Sequence, residues 1–298
     1  MARQKRNYRE RLDQLHGHFL VRPHQKVDLR KFDPAWAVEK EIAEAELTDD
    51  ISDLSKAQEV LYADRSRAIL VVIQALDAAG KDGTIKHVMT GLNPQGVRVA
   101  SFKVPSTEEL AHTFLWRYCK RLPERGMIQI FNRSYYEEVL VVRVHPEYLV
   151  PQKLPAKRFD QRFWSERFED INAFEKHLVR NGTEVLKFFL HVSKGEQKKR
   201  FLERIDNPEK NWKFSSADVA ERAYWKQYQR AFEDAISATS TSYAPWYIIP
   251  ADNKWMCRAL VASILSQRID ALKLSFPRIP ESERSKLAAA RATLLKEK

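Results

Sequence analysis

The chain has 298 residues, 44% of them hydrophobic and 31% charged, enough to bury the core of one large α/β domain or two small ones. No stretch approaches the roughly 18 to 20 consecutive apolar residues of a membrane span, and the basic start has no apolar run behind it, which argues against a secretory signal. The net charge of +11 is unevenly spread: residues 66–134 carry 10 Lys/Arg against 5 Asp/Glu and residues 194–230 carry 10 against 6, whereas residues 135–193 balance at 9 each. Two separated basic segments suggest a polyanion held between them; a generally basic surface is the plainer alternative.

Residues 1–66 read as an N-terminal helical extension, most helical at Glu39–Glu46 and Ala57–Ala63. Five apolar runs then read as buried strands: Ala68–Ala75, Val97–Val104, Met127–Phe131, Val185–Val192 and Trp246–Pro250. Three are almost continuously apolar, the pattern of parallel strands covered on both faces. Helical patterns alternate with them at Thr107–Arg121, Ser165–Arg180, Ala217–Ser237 and Lys254–Leu272. Ser106 ahead of Glu108 and Glu109, and Ser216 ahead of Asp218, mark two helix starts. The alternation predicts an α/β fold over residues 67–276, a five-stranded mostly parallel sheet with helices on both faces. Pro277 and Pro280 break the chain, and residues 277–298 read as a charged helical tail from Glu281. Cys119 and Cys257 lie in apolar patterns and read as buried thiols, which predicts a cytoplasmic protein.

The first strand runs into Leu76-Asp77-Ala78-Ala79-Gly80-Lys81-Asp82-Gly83-Thr84, followed by a helix-compatible stretch. In a strand–loop–helix setting, backbone N–H groups and a helix N-terminus cradle phosphate oxygens, and Lys81 would add a point charge. The general pattern G-x-x-x-x-G-K-[ST] is not met, since Ala75 replaces its first Gly and Asp82 its Ser/Thr, so a surface turn stays open. Asp77 makes sense beside phosphates as a magnesium ligand, or more plainly as a turn-forming Asp. The third strand ends in Phe131-Asn132-Arg133-Ser134-Tyr135-Tyr136-Glu137-Glu138, and the carboxyl ends of parallel strands are where ligands gather. Arg133 could stabilise charge on a transferring phosphoryl group and Glu137 could orient a water or nucleotide; a simple Arg133–Glu137 pair is the alternative.

Four blocks in order carry a resemblance: QALDAAGKDGTIKHVMTGLNPQGV (74–97), FNRSYYEEVLVVRVHPEYL (131–149), FLHVSKGEQKKRFLERIDNPEKNWKFS (189–215) and PWYIIPADNKW (245–255). Over about residues 20–275 the chain resembles the polyphosphate kinase 2 family, most closely its class III branch. The resemblance implies a thymidylate-kinase-like P-loop fold whose loop grips inorganic polyphosphate. It implies direct, reversible transfer of a phosphoryl group to ADP or AMP, with Mg2+ or Mn2+ as cofactor. By carry-over Asp77 organises metal and phosphate, Lys81 is the loop lysine and Arg133 lies near the transferred group. Asn132 stands where class I members carry Asp, which puts metal ligation from that strand end in doubt. Glu137 stands where they carry Asn, and an acid there resembles enzymes that accept AMP as well as ADP. The family also suggests a homo-oligomer, a dimer or tetramer.

A basic segment, 194–215, reads as a lid; within it Arg200 and Arg204, four residues apart, would share one helix face. A cationic lid could close over a phosphate chain and expel water; a solvated helix laced by Glu196–Arg200 and Lys199–Glu203 pairs is the alternative. Trp212 reads as a packed aromatic, with stacking near a nucleotide as the other option. His87, His112, His145 and His191 raise a phosphohistidine intermediate, but none sits in a clear nucleophile setting, and His145 reads as structural. The expected polyphosphate-binding set is therefore Ala79, Gly80, Lys81, Asp82, Gly83, Thr84, Lys86, Arg200, Arg204 and Lys213. The expected nucleotide-binding set is Asn132, Arg133, Tyr136, Glu137 and Arg143. The rivals are an ATP-dependent nucleoside monophosphate kinase and a non-enzymatic polyanion or nucleic-acid binder; no nucleic-acid-reading motif stands out, and no membrane partner is expected.

Overall fold

Residues 16–156 and 158–297 are described by a computed structural model. In chain order they form α1 (Lys40–Asp64), β1 (Ala68–Ala75), α2 (Lys81–Val88), β2 (Val97–Ser101), β3 (Ile128–Asn132), α3 (Gln161–Arg180), β4 (Thr183–His191), α4 (Lys194–Asp206), α5 (Trp225–Thr239), β5 (Trp246–Pro250), α6 (Lys254–Asp270) and α7 (Glu281–Leu294). The five strands make one sheet in the order β2-β3-β1-β4-β5, every pairing parallel. From the central β1 the chain moves to one side for β2 and β3, then crosses to the other for β4 and β5. The carboxyl ends of β1, β3 and β4 therefore meet where the winding reverses, the place such sheets open a crevice.

Alternation of side chains along β1 divides the interior in two. Ile69, Val71 and Ile73 face a core built with Leu54 and Leu61 of α1, Val88 of α2 and Leu260 and Ile264 of α6. Leu70 and Val72 face a second core with Trp164, Phe168 and Ile171 of α3 and Phe232 and Ile236 of α5. Residues ahead of α1 join both: Phe19 enters the first core, and Val21 and Leu29 enter the second. Among the described residues no helix is long and apolar enough to cross a membrane.

Several sequence boundaries move, each for a local reason. β2 stops at Ser101 rather than Val104 because its neighbour β3 ends at Asn132, the register partner of Ser101. The single helix expected over Thr107–Arg121 is two short turns, Thr107–Leu110 and Trp116–Cys119. A full capping box between Ser106 and Glu109 starts the first. His112 and Thr113 are weak helix formers, and the break beside them lets Phe114, Leu115 and Tyr118 reach the second core. The helix expected over Ala217–Ser237 is interrupted by a 3-10 turn at Glu221–Tyr224, where the Glu221 carboxylate meets His145 Nε2 at 2.9 Å and accepts from the Tyr228 hydroxyl at 2.7 Å. The buried His145 is thus a tie between segments. Cys257 is buried as expected, but Cys119 is exposed at the end of its short turn.

One core position breaks the apolar rule. On β4, Val185 and Phe189 face the second core, and Lys187 between them is fully buried. Its ammonium donates to Glu175 Oε2 at 2.6 Å, to the Thr239 carbonyl at 2.7 Å and to the Tyr136 hydroxyl at 3.0 Å, which uses its three hydrogens. Glu175 Oε1 accepts from the hydroxyls of both Tyr135 and Tyr136 at 2.9 Å. Burial pulls the Lys187 pKa down and pushes that of Glu175 up, each opposed by the partner's charge. Removing one member strands the other. Lys187→Met should cost about 3–5 kcal/mol in denaturant unfolding. Pairing it with Glu175→Leu should recover more than half of that loss; a double variant no more stable than the single one would show that the pair does not act as a unit.

Candidate active site

The segment leaving β1 is shaped by two residues in the left-handed region, Ala78 at φ 63° and Gly80 at φ 106°. Gly80 caps α2 without a side-chain acceptor, so the first amides of that helix are left for an outside anion. The Lys81 ammonium folds back onto the Ala75 carbonyl at 3.0 Å. Burial lowers its pKa, and the neighbouring Asp77 charge opposes that shift. The loop's carbonyls face the other way. Asp77 O accepts from Gln197 Nε2 at 2.9 Å, and Ala78 O and Ala79 O accept from Arg200 Nη1 at 3.1 and 2.8 Å. The base of α4 is thereby bonded to the back of the loop.

The facing wall comes from the end of β3. The Arg133 amide still bonds to Ile73 O at 3.2 Å, continuing the strand pairing by one residue, while φ at Arg133 turns positive, to 65°. That turn sends the guanidinium between two acids: Nη2 donates to Asp77 Oδ1 at 2.7 Å and Nη1 to Glu137 Oε2 at 3.2 Å. Glu137 Oε1 accepts from Gln74 Nε2, a buried side chain of β1, at 2.9 Å. Glu137 and Asp77 hold Arg133 above the usual guanidinium range against the effect of burial. Asn132 Nδ2 donates to Asp82 Oδ1 at 2.7 Å, joining the strand end to the first turn of α2.

Two clefts share this Asp77–Arg133 wall. The larger, 550 Å³, runs over the loop, and eight of its lining residues are Lys or Arg against three Asp or Glu. Lys103, Arg204, Lys210, Lys213 and Lys254 supply cations around Lys81 and Arg133. The smaller, 40 Å³, lies behind Arg133 among Leu140, Val141, Trp225, Tyr228 and Phe232, with Glu137 and Asp218 as acids. A roomier groove of 740 Å³ follows the β2 edge and meets the loop cleft at Ser101–Lys103, but neither the loop nor Arg133 lines it.

The structure thus brings Asp77, Lys81, Asp82, Asn132, Arg133 and Glu137 together, with Gly80, Gly83, Arg204 and Lys213 around the same cleft. Ala79 and Thr84 line a 170 Å³ pocket beside it, with Lys254 and Arg258. Three expected residues lie elsewhere. Lys86 is exposed on α2 and lines neither cleft. Tyr136 is fully buried on Glu175, and Arg143 donates to Asp234 Oδ2 at 2.6 Å. Arg200 lines the loop cleft, but its Nη1 is turned onto the carbonyls of Ala78 and Ala79. Trp212 is 77% exposed, with the Lys213 ammonium 4.7 Å from its ring centre, so it is no packed aromatic.

Sequence reasoning missed Lys254 and Asp218. Lys254 opens α6 directly after β5, and its position at the carboxyl end of a strand was the available signal. Burial and the nearby Asp77 charge hold the Asp218 carboxyl above its usual range, which marks two acids left close together. Among the described residues no group of three or more His, Cys, Asp or Glu could hold a metal. Asp77 and Asp218 are two carboxylates of the kind a hard divalent cation takes when its other ligands come from phosphate and water.

Residues 37–277 match the family described as polyphosphate kinase 2. The chain is 49% identical to an ADP-polyphosphate phosphotransferase of Rhodopseudomonas palustris, over 93% of this chain and 98% of that one. It is 46% identical to an AMP/ADP-polyphosphate phosphotransferase of Meiothermus ruber, over 90% and 98%. A crystal structure of polyphosphate kinase 2 from Arthrobacter aurescens TC1 superposes with a TM-score of 0.85 at 36% identity, covering 94% of this chain and 96% of that one.

The cleft makes a binding prediction that needs no turnover. Lys213→Gln and Lys254→Gln should each weaken binding of inorganic tripolyphosphate about threefold to tenfold at low salt, and less at ~0.5 M salt, where exposed charges are screened. Lys120→Gln in the β2 groove should leave it unchanged. Calorimetric titration that ranks Lys120 with the other two would remove the loop cleft as the anion site.

Proposed function

The chain belongs to the polyphosphate kinase 2 family, and we propose that it moves a terminal phosphoryl group from inorganic polyphosphate to ADP or AMP. The observation that carries this reading is the shared wall. One cleft is cationic and floored by the amides of a phosphate loop; the other is small and partly aromatic; Asp77 and Arg133 separate them. The donor chain lies over the loop, its terminal phosphate on Lys81 and the first amides of α2, its tail along Lys213 and Lys254. The acceptor nucleotide enters from the aromatic side and points its phosphate at Arg133. The cleft there is too small for a base at 40 Å³, so Trp225 and its neighbours must part to admit one.

In-line transfer through a loose transition state asks the protein to align and neutralise rather than to form bonds. Lys81, freed from the Ala75 carbonyl, follows the terminal phosphate, and Arg133 meets charge between attacking and leaving oxygens. Glu137 and Asp77 hold the Arg133 fork flat against the wall, and Gln74 fixes Glu137 from the strand below. A divalent cation held by Asp77 and Asp218 would neutralise phosphate charge and screen the donor from those acids. Nothing in this arrangement calls for a phosphohistidine, because His87 is turned onto the Gly83 carbonyl and His145 is tied between Glu147 and Glu221.

With polyphosphate as the sole donor and a divalent metal present, the purified protein should convert ADP to ATP and AMP to ADP. Turnover of AMP with ATP but never with polyphosphate would replace this reading with an ordinary nucleoside monophosphate kinase. Lys81→Ala and Asp77→Ala should each lose more than about tenfold in turnover, at least ~1.4 kcal/mol of barrier, while still folding. If either variant keeps more than a tenth of the wild-type rate, the residue it removes neither follows the phosphate nor holds the metal.

A further inference from the structure

A loop can turn its N–H groups toward an anion only if its carbonyls are satisfied on the opposite side. One buried side chain does most of that in this loop. Besides Ala78 O and Ala79 O, Arg200 donates through Nη2 to Ala251 O at 2.7 Å and Asp252 O at 2.9 Å, and through Nε to Glu196 Oε1 at 2.9 Å. A guanidinium has five N–H hydrogens, and these five contacts use all of them. The residue is 4% exposed. It has no hydrogen left for a phosphate oxygen, although it sits in the basic segment where a donor-chain ligand is expected.

We infer that Arg200 is a positioning residue, a clamp that joins the back of the phosphate loop to the end of β5 and so aims the loop's amides into the cleft. Lysine cannot replace it in that task, because an ammonium has three donors and no planar fork. A residue acting only as a positive charge would tolerate the exchange. The clamp's kinetic consequence rests on the proposed transfer reaction; its structural consequence does not.

Arg200→Lys, which keeps the charge, decides between the two roles. The clamp predicts that kcat falls about 30-fold or more while KM for polyphosphate moves less than ~threefold, the pattern of lost alignment rather than lost binding. It also predicts that the amides of residues 78–84 exchange hydrogen at least about tenfold faster, with β1 and β4 unchanged, a local opening and not a global one. Retention of most of kcat by the lysine variant, or a large rise in KM at unchanged kcat, overturns it. So does faster exchange spread evenly over strands and loop, which would mark a general structural role. If the lysine variant does not fold, Glu196→Gln carries the same test with a smaller expected loss of kcat. If the wild type shows no turnover with polyphosphate, the reaction assignment fails, and the clamp still stands or falls on loop exchange alone.

Discussion

The direction in which one short stretch of backbone points its peptide groups governs the whole cleft. In the proposed function the loop shows amides to an anion on one side, so its carbonyls have to be received on the other, away from bulk water. Gln197 and Arg200 of α4 receive three of them in succession. The first half of α4 is therefore scaffold. Closure of a lid over the donor chain, where the proposed function calls for it, has to come from residues beyond Arg204. Asn207 caps the 3-10 turn Pro208–Lys213 that carries Lys210 and Lys213, and this is the first segment after α4 whose residues are all exposed. Carrier and carried thus adjoin within one basic stretch whose composition does not tell them apart.

The opposite wall obeys the same logic with different chemistry. Arg133 has to leave the sheet at a defined residue, and its amide bond to Ile73 O sets that point. The turn that follows is held from below, since Tyr135 and Tyr136 both end on Glu175, which is paired with Lys187. A buried ion pair is weak evidence for stability, because desolvating both charges offsets much of their attraction. Its value in this fold is placement. Phe or Leu at these positions would fill the space, but would not fix two consecutive tyrosines and, with them, the backbone between Arg133 and Glu137.

Much of this was legible from residue order. Runs rich in apolar residues marked four of the five strands closely, and the position of Lys81 after the first of them located the loop. What could not be read was which partner a polar side chain would choose. Lys187 lies within a run whose pattern is apolar, and nothing local tells a buried cation from a solvated one when its carboxylate is 12 residues away on another element. Arg200 and Arg204 share spacing and composition and both line the loop cleft, yet Arg200 spends its donors on backbone carbonyls, a difference made in part by Ala251 and Asp252, distant in sequence. Tyr136 and Glu137 are neighbours in the chain, but adjacent residues on a 3-10 turn face apart, one to the core and one to Arg133. Helix interruptions escaped for a related reason, because Glu221 is pinned by His145 and Tyr228 rather than by its neighbours.

Charge finally distinguishes the two clefts in a way that shape alone does not. The loop side has eight cationic residues against three acidic ones, whereas the aromatic side has Arg133 and Arg222 against Asp77, Glu137, Asp218 and Glu221. Two unit charges about 4 Å apart near a protein surface interact by roughly 4 kcal/mol, so a change of sign across a wall one residue thick is a large difference to a polyanion. In the proposed function, a long phosphate chain is drawn to the loop and repelled from the second cleft. A nucleotide, with its charge at one end and a flat apolar base at the other, can satisfy both environments only by turning its phosphates toward Arg133. Under that proposal the Asp77–Arg133 wall sorts donor from acceptor before any chemistry, with the same two side chains that would meet the phosphoryl group in transit.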